Sequence, residues 1–133
     1  MSSIETTAPS RRNLWIGYAM SGLAIAFFVM DFGIKFANLP VVDQTNATLG
    51  WAPGSGHLLG VILLVCTAFY AWPRTAVLGA VLLTGYLGGA VATHIRVGNP
   101  LFSHVLFGVY LGLLMWGGLW LREPRLRAIF PLR

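Results

Sequence analysis

TAVLGAVLLTGYLGGAVATHIRVGNPLFSHVLFGVYLGLLMWGGLWL, residues 75–121, holds two long apolar runs separated by one short polar break. An α-helix rises 1.5 Å per residue, so roughly 20 apolar residues suffice to cross about 30 Å of hydrocarbon. Both runs, about 75–95 and 101–121, meet that length, and VGNP at 97–100 leaves the chain room only to turn back. Pro100 disfavours helical geometry at Asn99 and suits the first turn of the helix that follows.

Two further apolar runs lie upstream, about 14–36 and 56–72, and Pro73 in the link WPRT (72–75) separates the second run from the third. Composition agrees with this reading. Of 133 residues, 56% are hydrophobic and only 10% charged, whereas a soluble domain carries about 25% charged residues. The chain is therefore expected to be an all-α integral membrane protein, a four-helix bundle. Its expected parts are a polar tail over 1–12, a four-span domain over 13–122 and a basic tail over 123–133. The longer link, about 37–55, contains Pro40, Pro53 and Gly54 and is expected to fold over one mouth of the bundle.

Charge placement sets the expected orientation. With the N-terminus in the cytoplasm, seven of the nine basic residues lie on that side: Arg11, Arg12, Arg74, Arg122, Arg125, Arg127 and Arg133. Only Lys35 and Arg96 face outward, the bias expected of cytoplasmic loops, so both termini are placed inside. The basic excess thus calls for no nucleic acid. The lipid bilayer is the expected partner, with the C-terminal arginines near anionic headgroups. The opening SRRNLWI resembles a twin-arginine export signal, but the apolar run continues past Asp31 and Lys35 into further spans, which predicts an uncleaved first helix. Cys66, the single cysteine, falls mid-span and reads as a small core residue.

Glycines recur at four-residue spacing in three of the spans: Gly56 and Gly60, Gly85 and Gly89, Gly108 and Gly112. Such pairs let helix backbones approach closely, either within one chain or across a homo-oligomer interface.

The ionisable residues are not scattered. Asp31 and Lys35 lie one helical turn apart near the outer end of the first span and can pair. His57 opens the second span at that same end, His94 and Arg96 close the third, and Ser103 and His104 open the fourth. An ionisable group inside a span costs a few kcal/mol on insertion scales and usually faces the bundle interior or a wet cavity. Lys35 and Arg96 have the reach to snorkel to the headgroups instead. Imidazole is shorter, so His94 and His104, close across a four-residue turn, point to an interior polar site. A structural layer without a ligand is the competing reading.

The residue types suggest the chemistry. Imidazole exchanges protons near neutral pH, and a carboxylate can orient it or hold its charge, which makes Asp31, His94 and His104 the catalytic candidates. Arg96 presents a fork of donors to a carboxylate or carbonyl, and Lys35, His57, Asn99 and Ser103 complete the candidate ligand-binding set. Such groups above an apolar floor would hold a lipophilic molecule by its polar head, as in a quinone, a sterol-like ketone or a terpenoid epoxide. Zinc or iron on the three histidines and Asp31 is an alternative, as is haem on His94. No compact motif such as HExxH supports a metal, and none builds in a cofactor.

The run PRTAVLGAVLLTGYLGGAVATHIRVGNPLFSHVLFGVYLGLLMWGGLWLREPRLRAIFP (73–131), together with DFGIKF (31–36), resembles the DoxX-like family of small four-helix bacterial membrane proteins. The resemblance implies four spans with cytoplasmic ends in the bacterial cytoplasmic membrane, and it places Asp31, Lys35, His94, Arg96, Asn99 and His104 at motif positions. Many relatives carry a glutamate in the first half of the second span. This chain reads GVILLVC there, with Leu63 at that position, so an activity needing that acid is not expected. The family takes its name from a subunit of a thiosulfate to quinone oxidoreductase, which implies a quinone-proximal or redox-associated role. One expectation is accordingly a binding or accessory subunit holding a quinone-like molecule for a membrane or redox partner. The other is a cofactor-free acid/base enzyme, an isomerase or epoxide hydrolase, acting on a lipophilic substrate.

Overall fold

The computed structural model describes residues 10–37, 40–52 and 54–129. Most of the expected N-terminal tail, Pro53, and Arg133 with the end of the basic tail lie outside the described residues. The helices are α1 (Arg11–Phe36), α2 (Pro40–Thr48), α3 (Ser55–Ala71), α4 (Ala76–Arg96), α5 (Phe107–Arg122) and α6 (Pro124–Ile129), and no strand occurs among the described residues. Three helical stretches are long and apolar enough to cross a membrane: Arg11–Phe36, Pro73–Arg96 and Leu101–Arg122. The fourth apolar helix, α3, is shorter at 17 residues.

Local chemistry sets the boundaries. Ser10 caps α1, its hydroxyl accepting from the Asn13 N–H at 3.1 Å, which satisfies one of the amides left without a helical partner. Trp72, the residue before Pro73, is extended and ends α3. A single 3-10 turn, Pro73–Thr75, then leads into α4. The stretch Leu101–Arg122 does not begin as a regular α-helix. Its first turn, Leu101–Val105, is π-helical, with the Val105 and Leu106 amides reaching back five residues to the carbonyls of Pro100 and Leu101. The link after α1 contains α2, which rests on α3 and buries none of its own residues.

α1 packs on α3 and α5, and α4 packs on the same two helices, so α1 and α4 stand diagonally opposite across the molecule. Lipid tails are as apolar as leucine, so these contacts are held by close packing and hydrogen bonding rather than by exclusion of water. Both devices are concentrated at the end where α1 begins and α5 finishes. A Cβ on Gly118 would lie 2.8 Å from the Gly17 carbonyl oxygen, which leaves α1 and α5 in contact through their backbones. Gly79 brings α4 equally close to α3, since a Cβ there would overlap the Tyr70 backbone.

A buried hydrogen-bond chain joins three helices at this same end. The Tyr70 hydroxyl of α3 donates to the Met115 carbonyl of α5 at 2.7 Å, so the Ser21 hydroxyl of α1, 2.8 Å away, donates to Tyr70. Arg122 completes it by donating from Nε to the Ser21 hydroxyl at 3.2 Å. Its guanidinium also lies over the rings of Tyr18 and Tyr70, 5.5 and 5.8 Å from their centroids. Ser21 and Tyr70 are buried at 3% and 0% exposure, so no solvent replaces a lost partner. Tyr70→Phe should therefore lower stability by roughly 1–3 kcal/mol, read as a reduced melting temperature of the detergent-solubilised protein.

Candidate functional site

Toward the opposite end the helices part. A cavity of about 400 Å³ lies between α1 and α4, with Asp31, Lys35, Tyr86, His94 and His104 among its lining and Phe28, Leu87 and Leu111 in its apolar wall. Its size comes from what α4 lacks. Gly85 and Gly89 line it, and a Cβ on either would meet nothing within 4 Å. These two glycines leave empty space instead of seating a helix, whereas Gly56, Gly60 and Gly108 do sit against neighbouring side chains. Asn46, Leu49 and Trp51 line the cavity from α2 and the turn after it, so that link covers part of the mouth.

Asp31 and Lys35 form an ion pair one turn apart on α1, Nζ to Oδ1 2.6 Å. The two partners differ in setting: the Lys35 side chain is 14% exposed and the Asp31 side chain 47%. The carboxylate thus remains open to the cavity while its counter-charge is largely enclosed.

The two imidazoles meet because of how α4 stops and α5 starts. Gly98 has φ +74°, the left-handed conformation in which glycine pays no Cβ penalty. Around it the Gly98 amide donates to the Ile95 carbonyl and the Asn99 amide to the His94 carbonyl, both at 3.1 Å. This pairing is a Schellman motif, and Pro100 directly after it prevents the helix from resuming. The chain folds back on its own last turn, which sets Asn99 Nδ2 2.7 Å from His94 Nδ1. The π-helical turn then presents His104 to His94 edge to face, ring centroids 5.8 Å apart. Ser103 Oγ lies 2.8 Å from His104 Nδ1.

Four of the eight residues singled out in the sequence, Asp31, Lys35, His94 and His104, line this one cavity. Asn99 and Ser103 reach it only through the histidines they contact. His57 lies apart, beside Phe36 and in a second hollow that also involves Lys35, Asp43 and Asn46. Arg96 does not join the cavity lining, and its guanidinium rests against Gly50 in the turn after α2. Tyr86, Asn46 and Trp51 were not anticipated. Tyr86 carries a signal readable beforehand, a phenolic hydroxyl in a largely apolar run two turns before His94 on the same helix.

The DoxX-like family model matches residues 19–118. The chain belongs to the DoxX-like family. No curated protein and no solved structure matches it. The matched stretch of this DoxX-like protein contains every polar cavity residue named above together with Gly85, Gly89 and the Schellman turn, and it ends before Arg122. With three apolar helices of crossing length, the DoxX-like chain is an integral membrane protein. Leu63, the position where the resemblance led to a comparison with glutamate, is fully buried in the core. Among the described residues of the DoxX-like protein, no three of His, Cys, Asp or Glu gather to hold a metal ion.

The enclosed ammonium of Lys35 depends on Asp31 for its anion. Asp31→Asn should cost roughly 1–3 kcal/mol of stability, and adding Lys35→Met should restore much of the loss, a coupling measurable by thermal unfolding of the two single variants and the double.

Proposed function

We propose that this protein crosses the bacterial cytoplasmic membrane four times, with both termini inside, and binds a small lipophilic molecule of the quinone type in the cavity between α1 and α4. The carrying observation is that one cavity combines a polar end, formed by Asp31, Lys35, His94 and His104, with a wall of apolar side chains and bare glycine backbone. Its volume, about 400 Å³, lies in the range of about 300–1,000 Å³ typical of small-molecule sites. The polar end supplies hydrogen-bond donors and one carboxylate acceptor to a head group, and the apolar wall takes the ring and the start of a tail. Four crossings place this layer in the outer leaflet, where the ligand enters from lipid. In this reading the chain serves as a binding or accessory subunit that presents the ligand to a membrane or redox partner.

A cofactor-free acid/base enzyme is the second reading. It is favoured by the half-open carboxylate of Asp31 sharing a cavity with two imidazoles, the pairing that proton transfer within hydrogen-bond reach requires.

A short-chain benzoquinone added to the protein in nanodiscs should quench tryptophan fluorescence, and Trp51→Phe should remove most of that response because Trp51 lines the cavity. His94→Ala should weaken binding about tenfold, the size of one lost hydrogen bond of about 1.4 kcal/mol. Gly85→Leu should abolish it with little change in melting temperature, since the new side chain enters open space. Unaltered binding in both variants would exclude the cavity as the site. For orientation, a cysteine introduced at Arg74 in a Cys66→Ser background should resist impermeant thiol reagents in intact cells, and ready labelling there would reverse the assigned topology.

A further inference from the structure

We infer that Asn99 is a positioning residue that fixes His94 as the Nε2–H tautomer, so that the cavity offers a carbonyl-bearing ligand a hydrogen-bond donor of set polarity. This deepens the ligand-binding reading above and rests on it for the identity of the ligand, but the placement of the proton is a property of the protein alone.

The argument begins with the backbone. His94 and Asn99 are the first and last residues of the Schellman turn, joined by the hydrogen bond from the Asn99 amide to the His94 carbonyl at 3.1 Å. In most such motifs the residues at these two positions touch through apolar side chains. Here they are an asparagine and a histidine, and their side chains meet at 2.7 Å through Nδ2 and Nδ1. An amide nitrogen has two hydrogens and no free lone pair, so it can only donate. His94 Nδ1 is therefore the acceptor and carries no proton. In the neutral ring the proton then sits on Nε2.

Nδ1 is taken up by the turn, which leaves Nε2–H as the ring group available to a ligand in the cavity that His94 lines. His104 is not fixed in the same way, because the Ser103 hydroxyl at its Nδ1 can either donate or accept. Asp31 supplies the complementary acceptor. Besides the Lys35 ammonium, which is paired with Asp31, the site thus gains a neutral donor of fixed polarity at His94, where a ligand carbonyl oxygen can be received. Asn99 acts through His94 and does not line the cavity itself.

The test uses the full chain, labelled with ¹⁵N-histidine and held in nanodiscs without added ligand. Two-bond nitrogen–proton correlations report which ring nitrogen carries the proton. His94 should show a protonated Nε2 and a bare Nδ1. Asn99→Asp, whose carboxylate only accepts, should draw a proton to Nδ1, and Asn99→Leu, which retains the fold of the turn without either bond, should leave His94 as a tautomer mixture. A wild-type His94 protonated on Nδ1, or a pattern unchanged by both substitutions, overturns the inference. Benzoquinone binding should weaken about twofold in Asn99→Leu, because an even tautomer mixture halves the fraction of His94 that offers Nε2–H, while the melting temperature separates this from unfolding. Failure of wild-type protein to bind any benzoquinone refutes the quinone reading alone and is distinguishable, since the proton placement is read with no ligand present.

Discussion

The hydrogen-bond chain from Arg122 through Ser21 and Tyr70 to the Met115 carbonyl draws α1, α3 and α5 together at one end of the molecule. It operates where the helices are also narrowest, at Gly17, Gly79 and Gly118. In lipid there is little solvent-driven gain from pressing apolar helices together, so an end held by backbone approach and enclosed polar bonds is much tighter than one held by side chains alone. Among the described residues the opposite end shows no such hydrogen-bond chain joining α1, α3 and α5. There Phe27 of α1 meets Phe107 of α5 edge to face with centroids 5.8 Å apart, a side-chain contact in place of the backbone contact at Gly17 and Gly118. The cavity lies at this end, where Gly85 and Gly89 leave open space.

The helical stretches were legible because lipid imposes a coarse rule, a run of apolar residues long enough to cross. So was the i, i+4 pair of Asp31 and Lys35, which needs nothing beyond helix geometry. The approach of His94 to His104 followed from the shortness of the link between them. Other features depend on rotation about helix axes, which low-contrast apolar sequences leave undetermined. Ser21 and Tyr70, 49 positions apart, meet only once α1 and α3 are correctly rotated. The same ambiguity made Gly85 and Gly89 look like a packing motif when they face a cavity. Arg96 was read by depth alone, and depth cannot separate a side chain entering a cavity from one resting on a surface turn at Gly50.

Between α4 and α5 a few residues perform several tasks together. Gly98 allows the reversal, the Schellman bonds close the end of α4, Pro100 keeps the turn from being helical, and the π-helical turn sets the register of His104. A polar pair occupies the place where this motif usually has an apolar contact, so the cap of a helix and the orientation of a site residue are one structure. The family match over 19–118 covers this entire assembly.

The length of α3 has a consequence for the surrounding lipid. At 17 residues it spans about 25 Å at 1.5 Å per residue, short of the roughly 30 Å hydrocarbon thickness. In the proposed four-crossing arrangement its neighbours are longer, and local thinning of the bilayer is one way to take up the mismatch beside it. α3 begins at Ser55, next to His57 and the hollow shared with Lys35 and Asp43. Thinning there would bring water and headgroups toward the polar groups on that flank of the protein, beside the cavity. A bilayer of greater thickness would enlarge that mismatch and raise its cost.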